Sequence, residues 1–284
     1  MKESARKKQI LKFAAMRAAT QCALALCLVA LVTVILFILV RGAPHINMHL
    51  LFGEYGGKAP TIMPALAGTL YLVLISVAIS APIGIGSAIF LTEYTRRGSR
   101  LIRMIRIAVE TLAGIPSIVY GIFGYLVFVI ALGFKYSLIG GGVTLAVMIL
   151  PVIVRSTEES LLSVPRSLRE GSFALGSSKV RTVFSVVLPC AAGGIVTSLI
   201  LAIGRVISES AVLILTIGMV VNKMPKGFAS PGTSLALDVY YFGSHGYPEE
   251  AAATGVVLLV LVVSINTAAT FLGKIYGKGE LADG

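Results

Sequence analysis

The chain is 284 residues long; 56% of its residues are hydrophobic and only 13% are charged. With a mean hydropathy of +0.92, this composition excludes an ordinary soluble domain and is typical of a polytopic membrane protein. The net charge of +11 does not indicate a nucleic-acid-binding protein, because the basic residues flank apolar runs and form no patch interleaved with aromatic side chains.

Six apolar runs are long enough, or nearly so, to cross a hydrocarbon core about 30 Å thick as helices. They lie at 18–40, 66–92, 107–133, 137–154, 190–220 and 251–273. We therefore predict an all-α polytopic membrane protein with six transmembrane helices. The first run is interpreted as a span, since it is too long for a signal-peptide core and no small-x-small cleavage pattern follows it.

The distribution of lysine and arginine predicts the orientation of these helices. Eighteen of them lie in residues 1–17, 93–106, 155–188 and from 274 onward, against five in the alternate loops. Because basic residues accumulate on the cytoplasmic side, we expect both termini and the 155–188 loop to be cytoplasmic.

The third run carries small residues four positions apart, at Ala113, Ser117 and Gly121, in the string VETLAGIPSIVYGIFG of residues 109–124. Such spacing favours close helix packing, and Pro116 should bend the helix. Packing alone is one interpretation of Ser117, and a place in the substrate pathway is the other.

The 155–188 loop contains EGSFALG at 170–176 and VVLP at 186–189. Ser167 and Glu170 have the spacing of a capping box, which predicts a short helix from about Leu168. Gly176 is predicted to end that helix in a left-handed conformation, and Ser177 or Ser178 to cap a second short helix along the membrane surface.

The fifth run contains two ionisable residues, Arg205 and Glu209, one helical turn apart. Such groups inside a membrane segment cost about 2.5–3.5 kcal/mol each and usually face a partner, a cavity or a substrate. They could neutralise each other as an i, i+4 pair. Alternatively Arg205 could bind a tetrahedral oxyanion, because a guanidinium donates two parallel hydrogen bonds.

These motifs together resemble one transporter family. The pattern E-x-x-x-x-x-G, nine residues, V-x-L-P is similar to the EAA signature of ABC importer permeases, the loop that docks on a separate ATPase. With GIPSIVYGIFG and GRVISESAVLIL (204–215), the chain resembles type I permeases of the phosphate-specific PstA type over 66–273. The sequence ISES at 207–210 departs from the family's usual small residue, glycine, glutamate and threonine, although the acid is kept.

The resemblance implies three parts of the chain. Residues 1–65 would hold a basic cytoplasmic amino terminus, the first span and an outer loop, residues 66–273 the type I permease domain, and residues 274–284 a short cytoplasmic tail. It assigns the substrate pathway to Arg205, Glu209 and Ser117. The residues that it implies for coupling to the ATPase are Glu170, Gly171, Ser172, Ala174, Gly176, Leu188 and Pro189.

The resemblance also implies a function and partners. The chain would form half of the pathway for inorganic phosphate through the cytoplasmic (inner) membrane, beside a homologous second permease subunit. Two copies of an ABC ATPase and an extracytoplasmic phosphate-binding protein would complete the complex in the lipid bilayer. ATP and Mg²⁺ would bind the ATPase, since this chain has no G-x-x-x-x-G-K-[ST] loop, and neither a cofactor nor an enzymatic activity is expected in the chain itself.

Two alternatives remain at this point. One is an ABC permease for another oxyanion, such as sulfate or phosphonate. The other is a secondary transporter driven by an ion gradient, which would use Arg205 and Glu209 as substrate or proton sites. Inverted repeats with matching broken helices are common in secondary transporters, and the sequence has no convincing internal repeat.

Overall fold

The structure is a computed structural model that describes the backbone of residues 2–53, 60–95 and 99–278. Side chains are described for residues 12–53, 60–95 and 99–273. In these ranges the chain is helical and contains no β-strand. The α-helices are, in chain order, α1 (Lys2–Gly42), α2 (Met48–Phe52), α3 (Met63–Ile89), α4 (Arg100–Ala113), α5 (Ser117–Gly124), α6 (Leu138–Ser163), α7 (Arg166–Ala174), α8 (Lys179–Thr182), α9 (Leu188–Ile207), α10 (Ala211–Thr216), α11 (Leu235–Ser244) and α12 (Pro248–Lys278).

Among the described residues, five helical segments are long and apolar enough to cross a membrane. They are Lys12–His45, Met63–Tyr94, Leu138–Ser163, Lys179–Ile207 and Pro248–Gly273. A sixth span results only if Arg100–Ala113 and Ser117–Ala131 are counted together, and these two segments meet at an angle of 98°. The predicted six spans are thus five continuous helical segments and one broken pair.

The break in the third predicted span lies at Gly114–Pro116, as the proline suggests. Pro116 has no backbone N–H to continue the helical ladder. Across the bend, the Tyr120 hydroxyl donates a hydrogen bond to the Leu112 carbonyl at 2.7 Å, which fixes α5 against the end of α4. Ala113 and Ser117 therefore lie on different helices, and the predicted stripe of three small residues on one helix is wrong.

Two predicted boundaries on either side of the 155–188 loop are also wrong. α6 continues to Ser163 instead of ending at 154, and the next span begins at Lys179 instead of 190. The second short helix is therefore the first turn of a continuous helix, which passes through a π-helical segment, Val183–Val187, into α9. Pro189 follows this segment, and its missing N–H explains the wider turn before it.

The predicted fifth span, 190–220, is interrupted. α9 ends at Ile207, a turn follows at 208–210, and the chain resumes in the short helix α10. Polar residues at 208–210 provide the side chains that commonly start and stop helices.

The core lies between α3, α6 and α9. Large apolar side chains such as Leu72, Leu145 and Ile149 are fully buried there. α3 and α6 approach so closely that a Cβ on Gly84 would lie 2.7 Å from Ile153 Cγ2, an approach that only glycine allows. By contrast α1 packs against α12 and leaves most of its apolar side chains exposed, as a lipid-facing helix does.

Candidate functional site

The α7 helix begins at Arg166, and Pro165 occupies its N-cap position with φ −56° and ψ 140°. No side chain caps this helix start. The predicted capping box of Ser167 and Glu170 is therefore wrong, because the rigid proline starts the helix two residues before Leu168 and leaves Ser167 inside the first turn. Glu170 is instead an exposed residue in the middle of the helix.

The end of α7 follows the prediction closely. Gly176 has φ +79°, in the left-handed region that favours glycine, and its N–H donates to the Phe173 carbonyl at 2.9 Å. Ser178 is the N-cap of the next helix, and its hydroxyl accepts a hydrogen bond from the Arg181 N–H at 3.4 Å. The Gly176 stop and the Ser178 cap are confirmed.

All residues of α7 except Arg169 and Ser172 are exposed, and so are Leu175 and Gly176 in the turn after it. We call this exposed surface the bare face of α7. Leu168 is 42% exposed, Phe173 46% and Leu175 89%. The predicted coupling residues Glu170, Gly171 and Ala174 are exposed as well. Apolar side chains grouped with a carboxylate on an exposed face are typical of a surface that another protein covers.

The opposite face of α7 is fixed by polar contacts. Arg169 hydrogen-bonds the Glu93 carboxylate, with its Nη2 at 2.8 Å, and also the carbonyls of Leu161 and Val164. The Ser172 hydroxyl lies 2.9 Å from the Thr182 hydroxyl. Of the predicted coupling residues, Ser172 therefore serves to attach α7 to α8, and Arg169 is a residue that the sequence reasoning missed.

Leu188 and Pro189 lie away from α7, at the start of α9. Leu188 is half-buried against the apolar cluster that contains Val187 and Ala191, while Pro189 is exposed. In the structure these two residues shape the entry to the span, and they are not part of the exposed face of α7.

Two of the predicted pathway residues, Arg205 and Glu209, lie at the break between α9 and α10. The Glu209 Oε1 accepts hydrogen bonds from the N–H groups of Ala211 at 3.1 Å and Val212 at 3.4 Å, so its carboxylate satisfies the start of α10. Within the described part of the chain Glu209 forms no ion pair with Arg205. The proposed i, i+4 pair is therefore wrong, because the helix ends between the two residues.

Arg205 is exposed in the last turn of α9, close enough to Tyr120 for its charge to act on the phenol. Tyr120 lies on α5, one turn after its first residue, Ser117. α5 packs tightly on α10, since a Cβ on Gly121 would lie 3.1 Å from the Val212 Cα. The fold therefore brings α5, the helix that starts at Ser117, to the break that carries Glu209, and Arg205 lies exposed in the last turn before that break.

The site offers hydrogen-bond donors and a positive charge rather than metal ligands. Among the described residues no group of three or more His, Cys, Asp or Glu side chains could hold a metal ion. A guanidinium and a hydroxyl are groups that bind anions.

Comparison with known proteins decides the family. The family described as "Binding-protein-dependent transport system inner membrane component" matches residues 80–279. The chain belongs to this family. It is therefore a multi-pass permease subunit of the inner membrane, a transport component rather than an enzyme itself.

Two relatives in sequence are permeases. The probable ABC transporter permease protein YqgI of Bacillus subtilis (strain 168) is 34% identical over 260 residues, 85% of this chain and 88% of YqgI. The phosphate transport system permease protein PstA 1 of Mycobacterium tuberculosis (strain CDC 1551 / Oshkosh) is 34% identical over 213 residues, 73% of this chain and 69% of PstA 1.

Solved structures agree on the fold of the permease. A chain of a bacterial alginate ABC transporter, in complex with an alginate-bound periplasmic protein, aligns with a TM-score of 0.68 at 15% identity, covering 95% of this chain and 98% of that one. A chain of the inward-facing MetNI methionine ABC transporter aligns with a TM-score of 0.59 at 23% identity, covering 84% and 96%. The permease has the type I ABC importer fold, and such a subunit works with an ATPase and a substrate-binding protein.

Proposed function

We propose that this permease forms half of the translocation pathway of an ATP-driven importer of inorganic phosphate. PstA 1, which is named as a phosphate transport permease, supports the substrate, and the name of YqgI gives no substrate. The observation that carries the proposal is the exposed Arg205 beside the broken span, since a guanidinium matches a tetrahedral oxyanion in geometry and charge.

The neighbours of Arg205 suit an anion that passes and does not remain. Ser117 starts α5, where helix amides have no intrahelical partner and favour negative charge. Glu209 carries a like charge to phosphate and keeps it on a carboxylate that already caps α10. An arginine that attracts the anion and a glutamate that repels it would together keep binding weak enough for release.

The bare face of α7 would dock on the ATPase, and we place it in the cytoplasm on the charge distribution. ATP and Mg²⁺ would bind that partner. A homologous second permease subunit would complete the pathway, and an extracytoplasmic phosphate-binding protein would deliver phosphate to the opposite side. Exposed Arg205 would then face the interface between the two permeases.

The test is ATP-dependent uptake of radiolabelled phosphate by the complete complex in proteoliposomes, with excess unlabelled sulfate as competitor. We expect uptake that sulfate does not reduce. Uptake that sulfate abolishes would favour a permease for another oxyanion, and a lack of phosphate uptake would contradict the proposed substrate.

The role of Arg205 is tested by Arg205→Lys, which keeps the charge and loses the bidentate geometry. We expect uptake to fall at least about tenfold, the loss typical of a misplaced positioning group, while the complex still assembles. The matched control is Arg103→Lys on α4, an exposed arginine outside the site. Near-normal uptake by Arg205→Lys would remove Arg205 from the pathway.

A further inference from the structure

Arg169 lies on the inner face of α7 and uses its guanidinium to join three separate segments. Its Nε and Nη2 bond to the Glu93 Oε1 at 3.2 and 2.8 Å. Its Nη1 bonds to the Val164 carbonyl at 2.7 Å, and Nη2 also bonds to the Leu161 carbonyl at 2.8 Å. We call this set of four residues, Arg169, Glu93, Leu161 and Val164, the Arg169 clamp.

Each partner in the clamp has a physical reason to hold a cation. Leu161 lies in the last turn of α6 and Val164 caps it, so their carbonyls lack intrahelical partners and lie at the negative end of the helix dipole. Glu93 lies in the π-helical segment Phe90–Tyr94 that ends α3. The side chains of Glu93 and Arg169 are only 10% and 16% exposed, so water screens their attraction weakly.

Two further contacts attach the same region to the next helix. Ser172 on α7 meets Thr182 on α8 at 2.9 Å. The Lys179 ammonium lies 5.3 Å from the centre of the Tyr94 ring, next to Glu93 in sequence. α7 therefore contacts the ends of α3, α6 and α8 through side chains, while its other face stays bare.

We propose that Arg169 is the positioning residue that makes α7, the end of α6 and the end of α3 move as one rigid unit. The inference rests on the proposed function, in which the ATPase displaces α7. The clamp would deliver that displacement to α3 and α6, which pack against each other in the core without a gap at Gly84. Without the clamp, α7 would still dock on the ATPase, but its displacement would not reach α3 and α6.

The variant Arg169→Gln tests this through the ratio of ATP hydrolysed to phosphate taken up. We expect the ratio to rise at least about fivefold, the lower end of typical coupling between two sites, while the ATPase still copurifies. Arg169→Lys, which keeps the charge with fewer donors, should give an intermediate ratio. Arg103→Gln, which removes an exposed arginine on α4, should leave the ratio unchanged.

The double variant Arg169→Gln with Glu93→Gln distinguishes a role in coupling from a purely stabilising role. Removing both charges relieves the unpaired carboxylate of Glu93, which the single change leaves largely buried. If the clamp only stabilises, the double variant recovers both yield and coupling, and the proposal is overturned. We expect the double variant to recover the yield of the complex and to stay uncoupled.

A distance measurement tests the clamp without transport. Spin labels at Ser167 and Phe90, both exposed, report the separation of α7 from the end of α3 in the ATPase-bound complex. We expect one narrow distribution in the wild type with and without ATP, and a broadened one in Arg169→Gln. An unchanged ratio or an unchanged distribution in Arg169→Gln overturns the clamp. Absence of uptake by the wild type contradicts only the proposed function, because the distance measurement needs the bound ATPase alone.

Discussion

The α7 region and the break at 207–211 between α9 and α10 are held in opposite ways. α7 is held on one face by the Arg169 clamp and by Ser172, and its other face is bare. At the break between α9 and α10, the Glu209 carboxylate and the close packing at Gly121 hold the backbone, while the Arg205 guanidinium is exposed.

This difference indicates that the two regions serve different functions. A helix attached by side chains to three neighbours can transmit a displacement, and its bare apolar face can bind another protein. A fixed break with an exposed cation beside it can present that cation to a passing anion without rearrangement. Substitutions in each region, each with a matched control, test this comparison.

The largest effect is expected from Gly176→Leu at the end of α7. The left-handed conformation costs a residue with a side chain about 1–2 kcal/mol, so the turn that presents Leu175 should rearrange. Because a free-energy loss of that size lowers an equilibrium constant by about a factor of ten, we expect ATPase copurification and uptake to fall at least about tenfold.

The matched control is Gly246→Leu, which imposes the same backbone strain at φ +87° in the turn between α11 and α12. No described atom lies within 4 Å of a Cβ added at either glycine. An equal loss in both variants would show that general strain, and not the α7 surface, causes the effect.

A smaller effect is expected from Glu209→Leu, which removes the acceptor of two N–H groups at the start of α10. Losing such a cap costs about 0.5–2 kcal/mol, so the melting temperature of the purified complex should fall. Glu209→Gln keeps an oxygen acceptor and should melt near the wild type. A comparable fall in Glu209→Gln would mean that the charge, rather than the cap, holds the break.

The smallest effect concerns Asp238, which lies in α11 outside both regions. The side chain is fully buried and accepts a hydrogen bond from Thr233, and burial raises its pKa to about 8. The unfolded carboxyl loses its proton near pH 4, whereas the folded one keeps it to about pH 8. Stability should therefore fall as the pH rises through this window and level off above it.

Asp238→Asn cannot ionise, so its melting temperature should vary less than that of the wild type between pH 5, about one unit above the lower end of the window, and pH 9, about one unit above its upper end. The ratio of ATP hydrolysed to phosphate taken up should stay the same in this variant, since Asp238 belongs to neither region. Parallel pH profiles for the two proteins would contradict a buried, protonated Asp238.

Local signals in the sequence predicted the parts of the site that local chemistry determines. Gly176 ends α7 and Ser178 starts the next helix because each acts on its own backbone. The capping box failed for a local reason too, since Pro165 had already set the start of the helix. Charge and hydropathy predicted the class of fold for the same reason, because a bilayer requires long apolar helices.

The remaining features depend on residues distant in sequence. Arg169 has no local signal, because Glu93 is 76 residues away. The break after Ile207 was hidden inside an apolar run, although Ser208, Glu209 and Ser210 are residue types that favour helix ends. That signal could have placed the break before Glu209 and excluded the ion pair with Arg205.

The central claim, that the bare face of α7 docks on an ATPase, is tested most directly by cross-linking in the membrane. A photo-reactive amino acid at Leu175, which is 89% exposed, should cross-link to the ATPase subunit in cells. The same amino acid at Tyr247, 41% exposed in the turn before α12, should not. Cross-linking to the ATPase from Tyr247, or none from Leu175 in an assembled complex, would contradict the account.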